Sequence, residues 1–290
     1  MMSHRSSSEA PVIIVGAGMS GLSCALHLQA AGLNLRLIDS SDGVGGRVRT
    51  DVVDGFLLDR GFQVYLDAYP ETGALLDLKA LDLREFEPGA LVFDGKRLKR
   101  LMDVFRRPAS AWTSATAPIG GLIDKLRVGL MRSQILGSTL EQIANREDRT
   151  TESYLRGRGF SEAMIDSFFR SFYGGIFLES ELSTSSRMFE FTFKMFGQGS
   201  ATLPAKGMGE IPKQLAARLP LASLALNQKV VSVDAHSVTL SSGEQIHGRA
   251  VVLATNAAGV GSLLPALNEP MPEWRSVTNL YLYAPSSPIN

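Results

Sequence analysis

The feature that most constrains this chain is a pair of glycine clusters and an acid packed between Val12 and Thr50. Val12–Val15 is a short apolar run that halts at Gly16, as a buried parallel strand does. Gly16-Ala17-Gly18-Met19-Ser20-Gly21 then matches G-x-G-x-x-G and opens a segment, Met19 to Ala31, that reads as a helix ended by Gly32. In it Gly21, Cys24, Ala25 and Leu28 recur at helical spacing and are expected to face a sheet, which makes Cys24 a small buried hydrophobe rather than a reactive thiol. Leu35–Ile38 supplies a second strand, with Asp39 at its end, 21 residues after Gly18. Strand, turn, helix, strand and acid in this order turn a weak glycine pattern into a dinucleotide-binding fingerprint. Gly16 allows the tight turn, Gly18 lets backbone approach a pyrophosphate, and Gly21 lets the helix lie close to the strand. Met19 and Ser20 open the helix, whose free N–H groups and positive dipole end face the anion. Asp39, with Ser40 beside it, can bind a ribose 2′-hydroxyl and repels a 2′-phosphate, so NADP is disfavoured.

A simple NAD site would continue into another helix and strand. Here Gly43-Val44-Gly45-Gly46-Arg47-Val48-Arg49-Thr50 follows almost at once. Gly45 and Gly46 permit a second close backbone approach, and Arg47 offers a fixed charge for a second phosphate. Standing alone, this stretch would read equally well as a glycine turn with surface arginines.

In this order and spacing the chain resembles the flavin-dependent amine oxidase and phytoene desaturase superfamily, in which G-x-G-x-x-G, an acid and G-G-R-x-x-T form one FAD site. Gly55-Phe56 with Asp59, Arg60 and Gly61 resembles the segment that runs under the flavin, continuing through Phe62 and Gln63. Leu203-Pro204-Ala205-Lys206-Gly207-Met208-Gly209 resembles the return P-x-G-G-M-G, with Lys206 in place of a frequent glycine. Leu226–Val230 matches the segment whose valine backbone meets adenine, so Val230 is carried over; Ala250–Asn256 resembles the strand ending beside the cofactor at Ala254 and Thr255. Gly61-Phe62-Gln63-Val64-Tyr65 and Phe172-Tyr173-Gly174-Gly175-Ile176-Phe177 point within the superfamily to phytoene dehydrogenase-like oxidoreductases. The resemblance implies FAD as cofactor and hydride transfer from a substrate C–H to the flavin. No residue takes a catalytic role.

The expected fold is α/β: a doubly wound, Rossmann-like FAD-binding domain with an inserted, mainly helical α+β substrate domain. The chain is expected to leave the nucleotide lobe near residue 75 and return near 205. FAD-binding segments then run over 11–75 and 205–265, and substrate-domain segments over 76–204 and 266–290, after a disordered polar leader over 1–10. Leu83–Glu87, Ala90–Phe93 and Lys96–Leu101, the last two joined by an Asp94-Gly95 turn, read as short antiparallel strands. Ala109 to Phe196 is patterned as helix, with Ser161 a candidate N-cap. Lys229–Val233 and Ser237–Leu240 read as a meander before the strand at Ala250, and Asn279–Ala284 as a last strand. The family's pattern continues with a further strand, a Gly-Asp pair and a helix aimed at the flavin. These 290 residues lack that segment, so the expectation is a C-terminally truncated chain with an open sheet position and an incomplete flavin pocket.

Nine of the 14 phenylalanines fall between Phe160 and Phe196. Phe189, Phe193 and Phe196, with Met188, Phe191 and Met195, make one helix apolar all round, which suits either a lobe core or an apolar tunnel for a polyene-like substrate. Glu190 in that helix has no visible partner and reads as solvated or capped. From Lys96 to Arg132 there are nine basic and two acidic residues around an apolar stripe of Ile119, Leu122, Ile123, Leu126 and Leu130. This run is a solvated face or a peripheral membrane contact.

The balance of 29 basic and 29 acidic residues gives no pull toward nucleic acid. One cysteine forms no internal disulfide, and no His/Cys cluster has metal-ligand spacing. With no apolar targeting segment and no run long enough to span a bilayer, the expectation is a cytoplasmic protein, with membrane association through 96–132 as its variant. Its substrate is expected to be small and apolar; its oligomeric state is not legible. Other readings are an amine oxidase, a flavin-dependent polyene isomerase and a non-catalytic flavin-binding remnant.

Overall fold

A computed structural model describes residues 10–61, 63–93, 96, 98–103, 106–107, 119–267 and 273–286. Its centre is a parallel sheet in which β1 (Val12–Val15) lies between β2 (Leu35–Ile38) and the Ala250–Leu253 strand, with Leu224–Ala225 outside β2. The chain passes from β1 to β2 through α1 (Met19–Ala30), the parallel crossover unit the glycine pattern implies. All four β1 side chains are buried, as β-branched residues in a covered strand should be. Val12 and Ile14 join a core with Leu22, Ala25 and Leu26 of α1, while Ile13 and Val15 join Val238, Leu240 and Ile246 on the other face. That second face is covered by an antiparallel meander of Val230–Asp234, Ser237–Leu240 and Gln245–His247.

The α1 face differs slightly from the sequence reading. Gly21, Leu22, Ala25 and Leu26 are the buried set, while Cys24 and Leu28 are partly buried against the same core. Partial burial raises the pKa of the Cys24 thiol.

Two hairpins and a three-stranded sheet connect the lobes. Thr50–Val53 pairs with Phe56–Asp59 through Asp54-Gly55, both at positive φ as a tight hairpin turn requires. Ala201–Pro204 lies between Tyr65–Leu66 and Leu83–Glu85. Gly89–Phe93 pairs with Leu98–Met102; the expected Asp94-Gly95 turn lies outside the described residues.

The middle lobe is helical, with Leu122–Gly137, Leu140–Ala144, Thr151–Gly157, a π-helical stretch Ile165–Arg170, Ser171–Phe177 and Ser186–Gln198. Ser161 caps as expected, its hydroxyl accepting the Met164 N–H. Phe169 and Phe189 are fully buried and meet Phe160, Phe168, Tyr173 and Phe193 in edge-to-face and tilted ring contacts, so this part of the aromatic run is lobe core.

Three expectations are corrected. The Ser186–Gln198 helix is not apolar all round: it buries Glu190, Thr192 and Lys194, and leaves Met188 exposed. Glu190 is not solvated; its carboxylate accepts from Tyr154 Oη and from Arg146, with Arg158 3.8 Å away. Asn279–Ala284 forms no strand: among the described residues no strand pairs with it, and Leu280 and Leu282 are 82% and 87% exposed.

Candidate cofactor site

The glycine loops meet at the C-terminal end of β1, where an open parallel sheet presents its binding crevice. Gly16, at φ +109°, donates its N–H to Ile38 O at 2.8 Å. A Cβ there would lie 2.8 Å from Ala254 O, which packs Ala254 and Thr255 directly behind the turn. Ala254 is itself fixed by its N–H to Val15 O at 2.8 Å. A Cβ on Gly21 would lie 1.8 Å from Gly16 O, so α1 reaches its packing distance only with glycine. Gly18 differs: a Cβ there meets no protein atom within 4 Å. It is the N-cap of α1, and no side chain caps that end. Met19 packs back on the core while Ser20 is exposed. The result is a bare helix N-terminus facing an open cradle, which suits a pyrophosphate.

Asp39 ties the cradle to β2. Its Oδ2 accepts the Ala17 N–H at 2.6 Å, and its Oδ1 accepts the Ser41 N–H and hydroxyl at 2.7 and 2.6 Å. A carboxylate offers about four acceptor sites, so about one is left for a ribose hydroxyl. Ser40 is exposed in the same turn. The segment carrying Val230 comes alongside: Asn227 donates its N–H to Ser41 O at 2.9 Å and Gln228 to Asp39 O at 2.8 Å, two residues before Val230 opens the meander.

The second cluster docks on the first. Gly18 and Gly45 form a parallel bridge, the Gly45 N–H reaches Ala17 O at 2.8 Å, and a Cβ on Gly46 would lie 3.4 Å from Gly18 Cα. Arg47 is exposed beside them, its guanidinium 5.6 Å from the centre of the Trp274 ring. Gln63 donates from Nε2 to the carbonyls of Arg47 and Arg60 at 2.8 Å each, bringing the Gly61–Gln63 segment to the same loop. Gly61 has φ +91° and open space at its Cβ position. Phe62 lies outside the described residues. The two glycine loops, Asp39 and the Gly61–Gln63 segment thus gather at the C-terminal end of β1, with Ala254 and Thr255 behind the first turn, and the bare helix end with its open backbone fits a dinucleotide pyrophosphate.

Other contacts escaped the sequence reading. Thr50 donates its hydroxyl to Asp59, and Asp59 and Thr50 accept the N–H groups of Met208 and Gly209, which locks the 207–209 return loop over the hairpin. The 273–286 segment crosses from lobe to lobe: Trp274 lies on Arg47, Arg275 pairs with Glu179 at 2.9 Å, and the Tyr281 hydroxyl reaches Asp59 O. These partners stand far apart in sequence, and no local pattern marks them.

This fold and its glycine loops define a dinucleotide-binding lobe, and comparison with known proteins gives the family. Residues 19–288 match the model of the flavin-containing amine oxidoreductases, and the chain belongs to that family of FAD-dependent oxidoreductases. It is 26% identical over 164 residues to protoporphyrinogen oxidase 2 of Arabidopsis thaliana, covering 57% of this chain and 32% of that one. It is 39% identical over 93 residues to putrescine oxidase of Kocuria rosea, covering 31% and 20%. Among solved structures, putrescine oxidase bound to putrescine superposes with a TM-score of 0.59 at 21% identity, over 88% of this chain and 60% of that one. Reduced UDP-galactopyranose mutase superposes with a TM-score of 0.56 at 19% identity, over 87% and 56%. These likenesses show a shared fold, and the chain spans about a third or less of the length of these two curated relatives. Among the described residues no helix is long and apolar enough to cross a membrane, and no acid, histidine and cysteine cluster could hold a metal.

Proposed function

We propose that the protein is an FAD-dependent oxidoreductase that removes a hydride from an apolar, polyene-like substrate. The observation that carries the reading is the bridge made by two consecutive residues, Trp274 on Arg47 and Arg275 on Glu179. It ties the second glycine loop to Glu179, the residue that follows the Ile176–Leu178 segment, in which Ile176 and Leu178 are both 38% exposed. An apolar surface at that place favours a hydrocarbon over a polar amine. Two relatives named for polyene substrates, 4,4'-diapolycopene oxygenase of Methylomonas sp and hydroxyneurosporene desaturase of Rubrivivax gelatinosus, share segments of 50 and 54 residues at 46% and 44% identity.

The roles of the chain's residues follow from the crevice. Gly18 and the first turn of α1 receive the pyrophosphate, Asp39 accepts from the ribose, and Arg47 adds positive charge beside the second glycine loop. Thr50 and Asp59 hold the return loop over the hairpin. FAD, when bound, would supply the acceptor for a hydride leaving a substrate C–H, while a proton leaves the neighbouring carbon to solvent and a carbon–carbon double bond forms. Middle-lobe aliphatic side chains exclude water from that exchange.

Anaerobic mixing of the FAD-loaded protein with a detergent-solubilised polyene tests the reading. Bleaching of the visible flavin band by the polyene, and not by putrescine or protoporphyrinogen, is the expected result. Bleaching by the amine alone would replace it with an amine oxidase. Conversion of the polyene without bleaching, and only with reduced flavin, would replace it with an isomerase.

A further inference from the structure

We propose that the outer face of the Leu122–Gly137 helix is a docking surface for an anionic lipid bilayer. This helix is apolar on two sides. Met131 and Ile135 are fully buried in the middle-lobe core, and Asp124 turns inward to accept the N–H and hydroxyl of Ser161. Helical periodicity alone would assign the Leu122–Leu130 stripe to that core. Instead Leu122, Ile123, Leu126 and Leu130 are 67%, 63%, 66% and 72% exposed, and Ile119 alone of the five stripe residues is buried.

At 3.6 residues per turn, the four exposed aliphatic residues share an arc of about 100° and a length of about 12 Å. The inner face already fixes the helix to its lobe, and the outer stripe is left mostly facing water along two turns. A contiguous patch of this kind marks an interaction surface.

Charge on the edges names the occupant. On the helical wheel Lys125 lies beyond one edge of the arc and Arg127 beyond the other, both partly exposed. Arg127 is 3.9 Å from Asp124 Oδ1, an oxygen that already accepts the Ser161 N–H. An aliphatic centre with a cation on each side is the geometry of an interfacial helix, whose apolar side chains enter the acyl boundary while the cations meet headgroup phosphates. The same geometry opposes a second copy of the chain. Antiparallel self-packing centred on Leu126 would set Lys125 and Arg127 of one copy against those of the other, like charge on like charge. The inference stands on this face alone and is independent of the substrate.

The test is co-sedimentation of the 290-residue chain with vesicles of phosphatidylglycerol and phosphatidylcholine in equal parts, beside vesicles of phosphatidylcholine alone. Binding to the mixed vesicles that weakens with salt is expected. Leu126→Ser with Leu130→Ser should lower the partition coefficient by roughly tenfold or more, the scale of two leucines kept in water. Lys125→Gln with Arg127→Gln should lower it about tenfold on anionic vesicles only. Both pairs lie on the surface, and an unchanged circular dichroism spectrum is the control for folding. Absence of binding by the unaltered chain would overturn the proposal, as would binding that neither pair alters. A dimer in light scattering that the serine pair dissolves would assign the face to a second copy instead.

Discussion

Thr50 and Asp59 face each other across the hairpin, the Thr50 hydroxyl donating to Asp59 Oδ1 at 2.5 Å. Both also hold the return loop from more than 140 residues away: Met208 donates its N–H to the same carboxylate oxygen at 2.9 Å, and Gly209 to the Thr50 oxygen at 2.7 Å. The space is as specific as the bonds, since a Cβ on Gly207 would come within 2.5 Å of the Thr50 side chain. Asp59→Ala removes one acceptor and leaves two donors without it. Hydrogen bonds to a charged group are worth about 1.5–3 kcal/mol each, and a partly buried site recovers some of that through water. The expected loss is about 2 kcal/mol of unfolding free energy, read by urea titration. Flavin should also dissociate more readily on desalting, because the 207–209 loop is no longer pinned to the hairpin beside the cofactor loops.

Glu190 gives a second prediction. Its side chain is 1% exposed, and it gathers Arg146, Tyr154 and Arg158 in the middle lobe. Burial and the neighbouring carboxylate raise the pKa of the Tyr154 hydroxyl, which stays protonated as the donor. Removing one partner of a buried ion pair costs about 3–5 kcal/mol, but Arg146 is 28% exposed and can regain water. Glu190→Ala should therefore cost about 2–3 kcal/mol. Glu190→Leu combined with Arg146→Met should cost less than the sum of the single changes. A double-mutant cycle in urea measures that coupling.

The contrast between these two sites shows what the sequence could and could not reveal. The strand–turn–helix–strand unit was legible because its parts are local: each glycine must sit at a fixed offset from the strand and helix it joins, and Asp39 must end the next strand. The Ser161 cap and the meander were legible for the same reason. Glu190 was not, because its partners at 146, 154 and 158 meet it only after the helices pack. The Leu122–Leu130 stripe was visible as a face, yet periodicity does not say whether protein or solvent covers a face. Asn279–Ala284 has strand composition, but a strand also needs a neighbour to pair with, which no composition can supply. Trp274 and Arg47 stand more than 200 residues apart, and their contact follows from the path of the chain between the lobes.

Acid should loosen the crossing segment before the rest of the fold. Glu179 is partly buried, and desolvation alone would raise its pKa; hydrogen bonds from Ser183, Thr184 and Arg275 outweigh that and hold it at about 2. Because the folded value lies below the ordinary 4.5, the linked stability is fully present above pH 4.5 and is lost as pH falls toward 2. Its size is at most roughly 3–4 kcal/mol, at 1.36 kcal/mol per pKa unit. Trypsin would not serve in that range, but pepsin would: cleavage within 273–286 should rise steeply below about pH 4. Glu179→Gln should show the same cleavage pattern without that pH dependence. Equal pepsin sensitivity of the two proteins across the range would show that Glu179 does not anchor the segment.

Gly18 and Gly21 separate folding from cofactor binding within a single turn of helix. A methyl group at Gly21 would have to occupy space 1.8 Å from Gly16 O, and backbone at both positions leaves nothing flexible to move aside. Gly21→Ala should therefore push α1 off the sheet, with a cost above the 1–3 kcal/mol typical of overpacking and a clear fall in melting temperature. At Gly18 the φ of −73° suits alanine, and its methyl would meet no protein atom within 4 Å. Gly18→Ala should melt at the same temperature as the unaltered apoprotein or slightly higher, since alanine restricts the unfolded chain. Yet that methyl would stand where the pyrophosphate must approach the backbone, so flavin retention should fall by tenfold or more, roughly the 1.4 kcal/mol or greater cost of displacing the anion. Melting curves with and without added FAD give both readings. Unchanged flavin binding in Gly18→Ala would place the phosphates elsewhere and remove the cradle from the site.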